Sequence, residues 1–338
     1  MNPFTRSWRP AGLLILLFFL MAPAGCLAVP PDCHSDEVVC VGFVTDFNGL
    51  RDYGLNEQTW QVLQELRQEG FVVDVIESID AYDYTKNVAY FGDHGYDLVF
   101  TSGFSLAETT QAMAEKYPQT SFVMLGQPPE EDAPPNLAGV LFPEAQAGFW
   151  AGGLAAHFSE AGIVGAVFAN PAIPSVGAYG RGFKAGARDV ESQLIYYEHG
   201  RFATSLSDRE WGARQADILD ERGADVLFAY GGGTGISALE QFPGRVIGVE
   251  VDFGRQFPSM QNRLIASIVF DLSILNEIVH TGHVSQPVYQ GAYLVVWGAE
   301  PAPEVVEALG VYDEDDFAEL DEETEDDTDD TVEESDDE

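Results

Sequence analysis

Basic residues are scarce in this chain. Its 338 residues hold 16 Lys and Arg against 56 Asp and Glu, a formal charge of −40. Only three are lysines: Lys86, Lys116 and Lys184. A chain of that sign repels phosphate backbones, which argues against nucleic acid as a partner. Cysteine is almost as rare. Cys26, Cys33 and Cys40 all lie near the N-terminus, so the body has no thiol for nucleophilic catalysis. The Walker-A Gly-Lys-Ser/Thr, the dinucleotide G-x-G-x-x-G and the serine elbow G-x-S-x-G are all missing. His280-x-x-His283 has no third ligand nearby. We read the pair as surface histidines at a helix C-terminus and expect neither a metal nor a cofactor. The apolar run Ala11–Ala22 is too short for a helix to span a bilayer.

That run is an export signal instead. Arg6 and Arg9 precede it and small residues follow it. Two cleavage readings compete. Ala22-Pro23-Ala24 suits ordinary signal peptidase, whereas Ala24-Gly25-Cys26 resembles a lipobox that would make Cys26 the lipidated first residue. Once the chain is exported, Cys33 and Cys40 can form one bridge; two unpaired thiols are the alternative.

Hydrophobic residues make up 46% of the chain and aromatics 12%, ample for a core and, at this length, for two domains. Short runs rich in Val, Ile and Phe recur: Val38–Thr45, Phe71–Ile76, Asp97–Thr101, Ser121–Leu125, Ile163–Phe168, Leu194–Tyr197, Asp225–Tyr230, Arg245–Glu250 and Leu264–Val269. Amphipathic stretches separate many of them, among them Gln58–Gln68, Leu106–Tyr117, Glu144–Phe158, Ala178–Val190, Glu210–Arg222 and Leu272–His280. Strand–helix alternation with continuously apolar strands predicts an α/β protein built on parallel sheets. The loop QPPEEDAPPN marks a first passage between lobes, a return is expected near Ala266–Asp271, and Gly291–Trp297 would cross again. The resulting division is 1–25 signal peptide and 26–37 anchor and linker. An N-terminal lobe takes 38–138 plus 266–288, and a C-terminal lobe takes 139–265 plus 289–312. In the remainder, 313–338, 18 of 26 residues are acidic, and we read it as a disordered acidic tail.

Candidate ligand residues stand where strands end, because open α/β sheets bind ligands beyond their carboxyl edges. After the first strand come Asp46, Phe47 and Asn48, then Asp52, Leu55 and Asn56; Asp52 or Asn56 could equally cap the following helix. Gly103 and Phe104 end another strand. Tyr230, Gly231 and Gly232 open a glycine loop with no base nearby, which suits close backbone approach to a neutral ligand. Glu250 and Asp252 end the next strand; alternation would put them on one face about 7 Å apart. Paired carboxylates could hold sugar hydroxyls, or could hydrolyse a glycoside.

These residues also carry a resemblance. VGFVTDFNGLRDYGLNEQTWQVL resembles the opening of the basic-membrane-protein family of ABC-transporter substrate-binding lipoproteins, the purine-nucleoside receptor type. NLAGVLFPEAQAGFWAGGLAA, VGAYGRGFKAGA, GADVLFAYGGGTG and RVIGVEVD follow in the family's order. The resemblance implies a type I periplasmic-binding-protein fold: two Rossmann-like parallel-sheet lobes joined by a three-crossing hinge. It implies a receptor, not an enzyme; we expect a monomer, exported and either anchored on the outer side of the membrane through Cys26 or periplasmic. Such a receptor takes a nucleoside or similar small neutral ligand and delivers it to ABC permease subunits. It assigns Asp46 to the base, Phe202, in Gly200-Arg201-Phe202, to stacking, and Glu250 to ribose hydroxyls. Leu55 replaces the family's second stacking aromatic, for which Phe47 is the nearest substitute, and Phe270 replaces its ribose-contacting lysine. Two alternatives remain: an exported hydrolase using Asp46, Glu250 or Asp252, or a ligand-sensing subunit of a membrane receptor.

Overall fold

The computed structural model describes residues 33–35, 38–198 and 202–298, except the side chains of Phe202 and Ala203. These residues fall within one compact unit that begins at Cys33. The expected signal peptide, Cys26 and the expected acidic tail, 313–338, lie outside the described residues.

The strands are β1 (Cys40–Val44), β2 (Val72–Ile76), β3 (Leu98–Ser102), β4 (Ser121–Leu125), β5 (Leu137–Leu141), β6 (Ile163–Phe168), β7 (Glu191–Tyr196), β8 (Val226–Tyr230), β9 (Arg245–Val249), β10 (Leu264–Asp271), β11 (Val288–Gln290) and β12 (Ala292–Trp297). Interleaved with them are α1 (Leu55–Gln68), α2 (Tyr84–Asp93), α3 (Ala107–Lys116), α4 (Glu144–Phe158), α5 (Pro174–Gly186), α6 (Phe202–Ser205), α7 (Arg209–Glu221), α8 (Gly232–Gln241), α9 (Phe253–Gln256) and α10 (Ile274–Thr281).

Two six-stranded sheets result, in the orders β2-β1-β3-β4-β5-β11 and β7-β6-β8-β9-β10-β12. All pairings are parallel except β10 with β12. β1, β3 and β4 are buried at every residue, as expected where helices cover both faces. β12 is the antiparallel edge, and its burial alternates. In each sheet the strand order reverses beside the first strand of its lobe, between β1 and β3 and between β6 and β8. Such a reversal splays the outgoing helices to opposite faces and opens a crevice at the carboxyl edge.

The chain crosses between sheets three times: after β5, between β10 and β11, and between β11 and β12. Aromatic rings fill this hinge. Phe142 packs on Phe270 at 4.6 Å, and Phe270 stacks on Tyr293 at 5.2 Å between centroids. The boundaries differ from those read in the sequence. β5 belongs to the first sheet beyond residue 138, β10 to the second sheet beyond 265, and β11 to the first. An apolar run forecasts a strand but carries no record of which sheet it joins. β5 and β11 were not forecast as strands at all, being a glycine-bearing run and a three-residue segment.

Small residues bring α4 and α5 together. A Cβ on Gly148 or Gly152 would land on the Tyr179 or Phe183 carbonyl; one on Gly182 or Gly186 would land on the Ala145 or Phe149 carbonyl. These helices therefore touch backbone to backbone, with Tyr179 in the middle of α5 set against Gly148 of α4. At the other end of the described chain, Cys33 and Cys40 are joined by a disulfide that ties the entering segment to β1.

Candidate functional site

At the first crevice, β1 supplies Asp46 and β3 supplies Gly103. The Asp46 carboxylate is buried. Its Oδ1 accepts from Asn48 N at 3.0 Å and Asn56 Nδ2 at 2.9 Å, and its Oδ2 accepts from Asn48 Nδ2 at 2.7 Å. Gly103 has φ +97°, and a Cβ there would sit 2.9 Å from Asp46 Oδ2; the glycine is needed because the carboxylate lies against it. Asp52 takes the capping role. Its carboxylate accepts from the backbone N–H of Gly54, Asn56 and Glu57, at 2.9, 3.0 and 3.1 Å, which serves the unpaired amides of the first turn of α1. Burial raises the pKa of both carboxyls above the usual aspartate range, against the pull of these hydrogen bonds.

The second crevice, between β6 and β8, holds the glycine loop. Gly231 (φ +133°) is buried, and a Cβ there would meet the Ala169 Cβ at 2.5 Å. One on Gly232 (φ +57°) would meet the Leu206 carbonyl at 2.7 Å. Both glycines are thus required by the packing of their own lobe. Beside them, the Glu250 carboxyl faces three tyrosines. Tyr179 Oη donates to Glu250 Oε1 at 3.1 Å and also bonds Tyr293 Oη. Tyr230 stands close to the same carboxyl, and its Oη lies 3.2 Å from Ser175 Oγ. Burial pushes the Glu250 carboxyl up to about 8; the nearby Glu144 and Asp52 charges add to the rise, while Tyr179 and Tyr230 oppose it. Glu144 is itself raised by burial. The groups that act most on Asp46, Asp52, Glu144 and Glu250 include no Lys or Arg.

The two crevices meet. Gln58 Nε2, on α1 of the first lobe, donates to the Glu250 carbonyl of the second. Tyr53 approaches Phe257 with ring centroids 5.7 Å apart. Tyr53 (φ 56°) and Glu250 (φ 65°) are the only non-glycine residues with positive φ among the described residues. Backbone strain is therefore concentrated on the two facing segments.

The other forecast positions are dispersed. Asp252 does not share a strand face with Glu250. β9 stops at Val249, the left-handed Glu250 breaks the alternation, and Asp252 accepts from Arg255 N at 3.1 Å as the N-cap of α9. Phe270 packs into the hinge and also lines a cavity of about 260 Å³ with Gln58, Gln61, Val62, Glu65, Asp271, Leu272, Ser273 and Leu294. Leu55 is half-buried at the start of α1. Phe47 and Phe104 are exposed, at 43% and 50%. Phe202 opens α6, but its side chain lies outside the described set, as does Cys26. His280 is exposed and pairs with Glu69 at 3.2 Å. Among the described residues no cluster of metal-ligating side chains occurs, and no helix is long and apolar enough to cross a membrane. Gln58, Tyr179, Tyr293 and Glu144 were not forecast. Each sits in a helix or strand whose pattern reads as packing alone.

Residues 39–331 match the Bmp family model, described as ABC transporter substrate-binding protein PnrA-like. The chain is 28% identical over 226 residues to the ABC transporter nucleoside-binding protein BmpA of Lactococcus lactis subsp. cremoris, a stretch that covers 64% of this chain and 63% of that protein. The match thus spans somewhat less than two thirds of that relative's length. Basic membrane protein A1 of Borrelia garinii subsp. bavariensis is 23% identical over 294 residues, covering 85% and 84% of the two chains. Among solved structures, an ABC transporter solute-binding protein from Conexibacter woesei superposes with a TM-score of 0.62 at 19% identity, over 86% of this chain and 97% of that one. A transcriptional activator of the comK gene from Bacillus halodurans gives 0.66 at 19%, over 80% and 95%. These likenesses are of fold: the type I periplasmic-binding-protein architecture, with two parallel-dominated sheets and a triple crossing.

Proposed function

The chain belongs to the Bmp family of PnrA-like ABC-transporter substrate-binding proteins, and from that premise we propose that it is an exported receptor for a nucleoside or similar small neutral solute. The solute is held between the lobes and handed to a membrane permease, with Cys26 as the lipid anchor. One observation carries this reading. Gln58, on the helix that follows Asp46 in the first lobe, donates to the Glu250 carbonyl of the second, so the strand ends that carry the two carboxyls stand on segments in contact across the lobes. The groups that act most on these carboxyls include no Lys or Arg, so an anionic solute would bind there against its own sign. A sugar hydroxyl can donate to or accept from the Glu250–tyrosine group, and Phe202 supplies the stacking face. A solute that touches both walls binds the closed form more tightly than the open one, and that difference drives closure. The relative named as nucleoside-binding supports the solute class.

Calorimetry with a panel of nucleosides, bases and sugars tests the proposal. The expected result is saturable, one-site binding of a nucleoside recovered unchanged, with Phe202→Ala weakening it about tenfold or more. Binding by none of the nucleosides would overturn it.

A further inference from the structure

Tyr179, on α5, and Tyr293, on β12 just beyond the third crossing, are both buried. A phenol has one proton to give. Tyr179 Oη gives its proton to Glu250 Oε1 at 3.1 Å, so in its bond with Tyr293 Oη it accepts. The opposite order would leave the Tyr293 proton with no acceptor among the described residues. The chain therefore runs one way, from Tyr293 to Tyr179 to Glu250, and pins Oε1 as an acceptor. Both rings are held: Tyr293 stacks on Phe270 of the hinge at 5.2 Å, and Tyr179 lies 4.4 Å from the Tyr230 ring. The other groups that act most on Glu250 are Tyr230 from β8, Glu144 from the start of α4, and Asp52 from the turn before α1. Two of them are carboxyls and none is a base. Glu144 shares a lobe with Glu250. Asp52 belongs to the other lobe, on the turn leading into the helix whose Gln58 reaches the Glu250 carbonyl. Closing the lobes thus brings a further carboxyl toward Glu250 and takes water from it, and both raise the cost of its charge.

We propose that solute capture is proton-linked at Glu250: the closed lobes accept this residue as the neutral acid, and Tyr179 and Tyr293 are the positioning residues that hold it there. The inference rests on the two-lobed receptor reading above and adds a regulation to it. With the lobes apart, Glu250 is freed from Asp52 and regains water, so its carboxyl ionises at lower pH than in the closed form, where it titrates near 8. A group whose pKa rises on closure favours closure fully below its open-form value. That help is lost as pH rises through the closed-form value. An acidic exterior therefore strengthens capture, and an alkaline one weakens it, with no change in the solute.

The experiment is calorimetric titration of the full-length chain with adenosine, cytidine, guanosine and inosine across pH, on the native protein, Glu250→Gln and Tyr179→Phe. A base that itself titrates does so against every variant, so the comparison between proteins removes it. Native affinity is expected to fall about tenfold from about pH 6 to about pH 9, and binding near pH 8 to take up part of a proton, read from the heats in two buffers of different ionisation enthalpy. Glu250→Gln, at whatever strength it binds, should show neither effect. Tyr179→Phe should keep the fall and move it to higher pH, because it deletes a donor to the ionised form; a merely structural loss would weaken binding equally at every pH. An unchanging native affinity, a fall that survives in Glu250→Gln, or a fall moved to lower pH in Tyr179→Phe overturns the inference and leaves the nucleoside reading intact. The ligand-free protein supplies a separate readout. At about pH 6 its infrared spectrum should carry a carboxylic-acid carbonyl band that Glu250→Gln lacks. Absence of that band overturns the inference whether or not a nucleoside binds, whereas failure of every nucleoside overturns the nucleoside reading. Should Glu250→Gln prove unfolded by circular dichroism, the native proton uptake and the Tyr179→Phe shift decide the matter.

Discussion

Glu250 combines a left-handed backbone with a carboxyl titrating near 8, and the two together make its protonation state a term in folding. The folded state favours the neutral acid. Below the ordinary glutamate pKa both folded and unfolded chains are protonated there, so this contribution to stability is fully present. It is lost as pH rises from that value through about 8, and amounts to several kcal/mol at most. Asp46, Asp52 and Glu144 are raised as well and act in the same direction. The ligand-free protein should therefore show a denaturation midpoint that falls between about pH 5 and about pH 8.5. Glu250→Gln should flatten the fall in part; identical slopes in both proteins would clear Glu250 of the effect. The sequence made Asp46, Gly103 and Glu250 visible because strand ends in an α/β chain are where ligands are met. It could not expose the tyrosines around Glu250. Tyr179 is a buried helix residue and Tyr293 an edge-strand residue, and only tertiary packing joins their hydroxyls. Asp252 misled because strand alternation was carried past the residue at which the strand ends.

At the level of elements, the α4–α5 contact is the most constrained. Four glycines permit carbonyl-to-Cα approach over two turns of each helix, and any added methyl meets backbone rather than a movable side chain. Gly152→Ala and Gly182→Ala should each destabilise by about 1–3 kcal/mol or more despite alanine's better helix propensity. Urea denaturation midpoints will show this; an unchanged midpoint would mean that the helices separate without penalty. Most strands were legible as short apolar runs bounded by turns, since parallel strands covered on both faces must be apolar throughout. α2 was not, because its buried face mixes Tyr84, Asn87, Val88 and Phe91, with Asn87 Nδ2 donating to Ser78 Oγ at 3.0 Å. Sheet membership was the other gap. The inner-strand sequence of β10 would suit either sheet, and its place was settled by pairing with β9 and β12.

For the whole molecule, charge is the dominant long-range term. A net −40 on 338 residues repels itself, and the Lys and Arg ion pairs among the described residues, Lys86–Asp83, Arg209–Glu240 and Arg214–Glu210, are partly or fully exposed. Added salt should screen far more repulsion than attraction. The melting temperature is therefore expected to climb between about 0.1 and about 1 M sodium chloride; a flat or falling curve would show that self-repulsion is not what limits stability. The two-lobed plan was readable from the spacing of strands and loops, but the mechanics of the joint were not. A lone residue, Gly291, lies between β11 and β12; its N–H holds the Leu141 carbonyl at 2.7 Å, and the Phe142 ring occupies the place of a side chain. A fulcrum this short has no slack. It pins the end of β11 in one sheet to the start of β12 in the other, so these two strand ends cannot draw apart, and any turn of one sheet against the other at this crossing has to be taken up within a residue of Gly291.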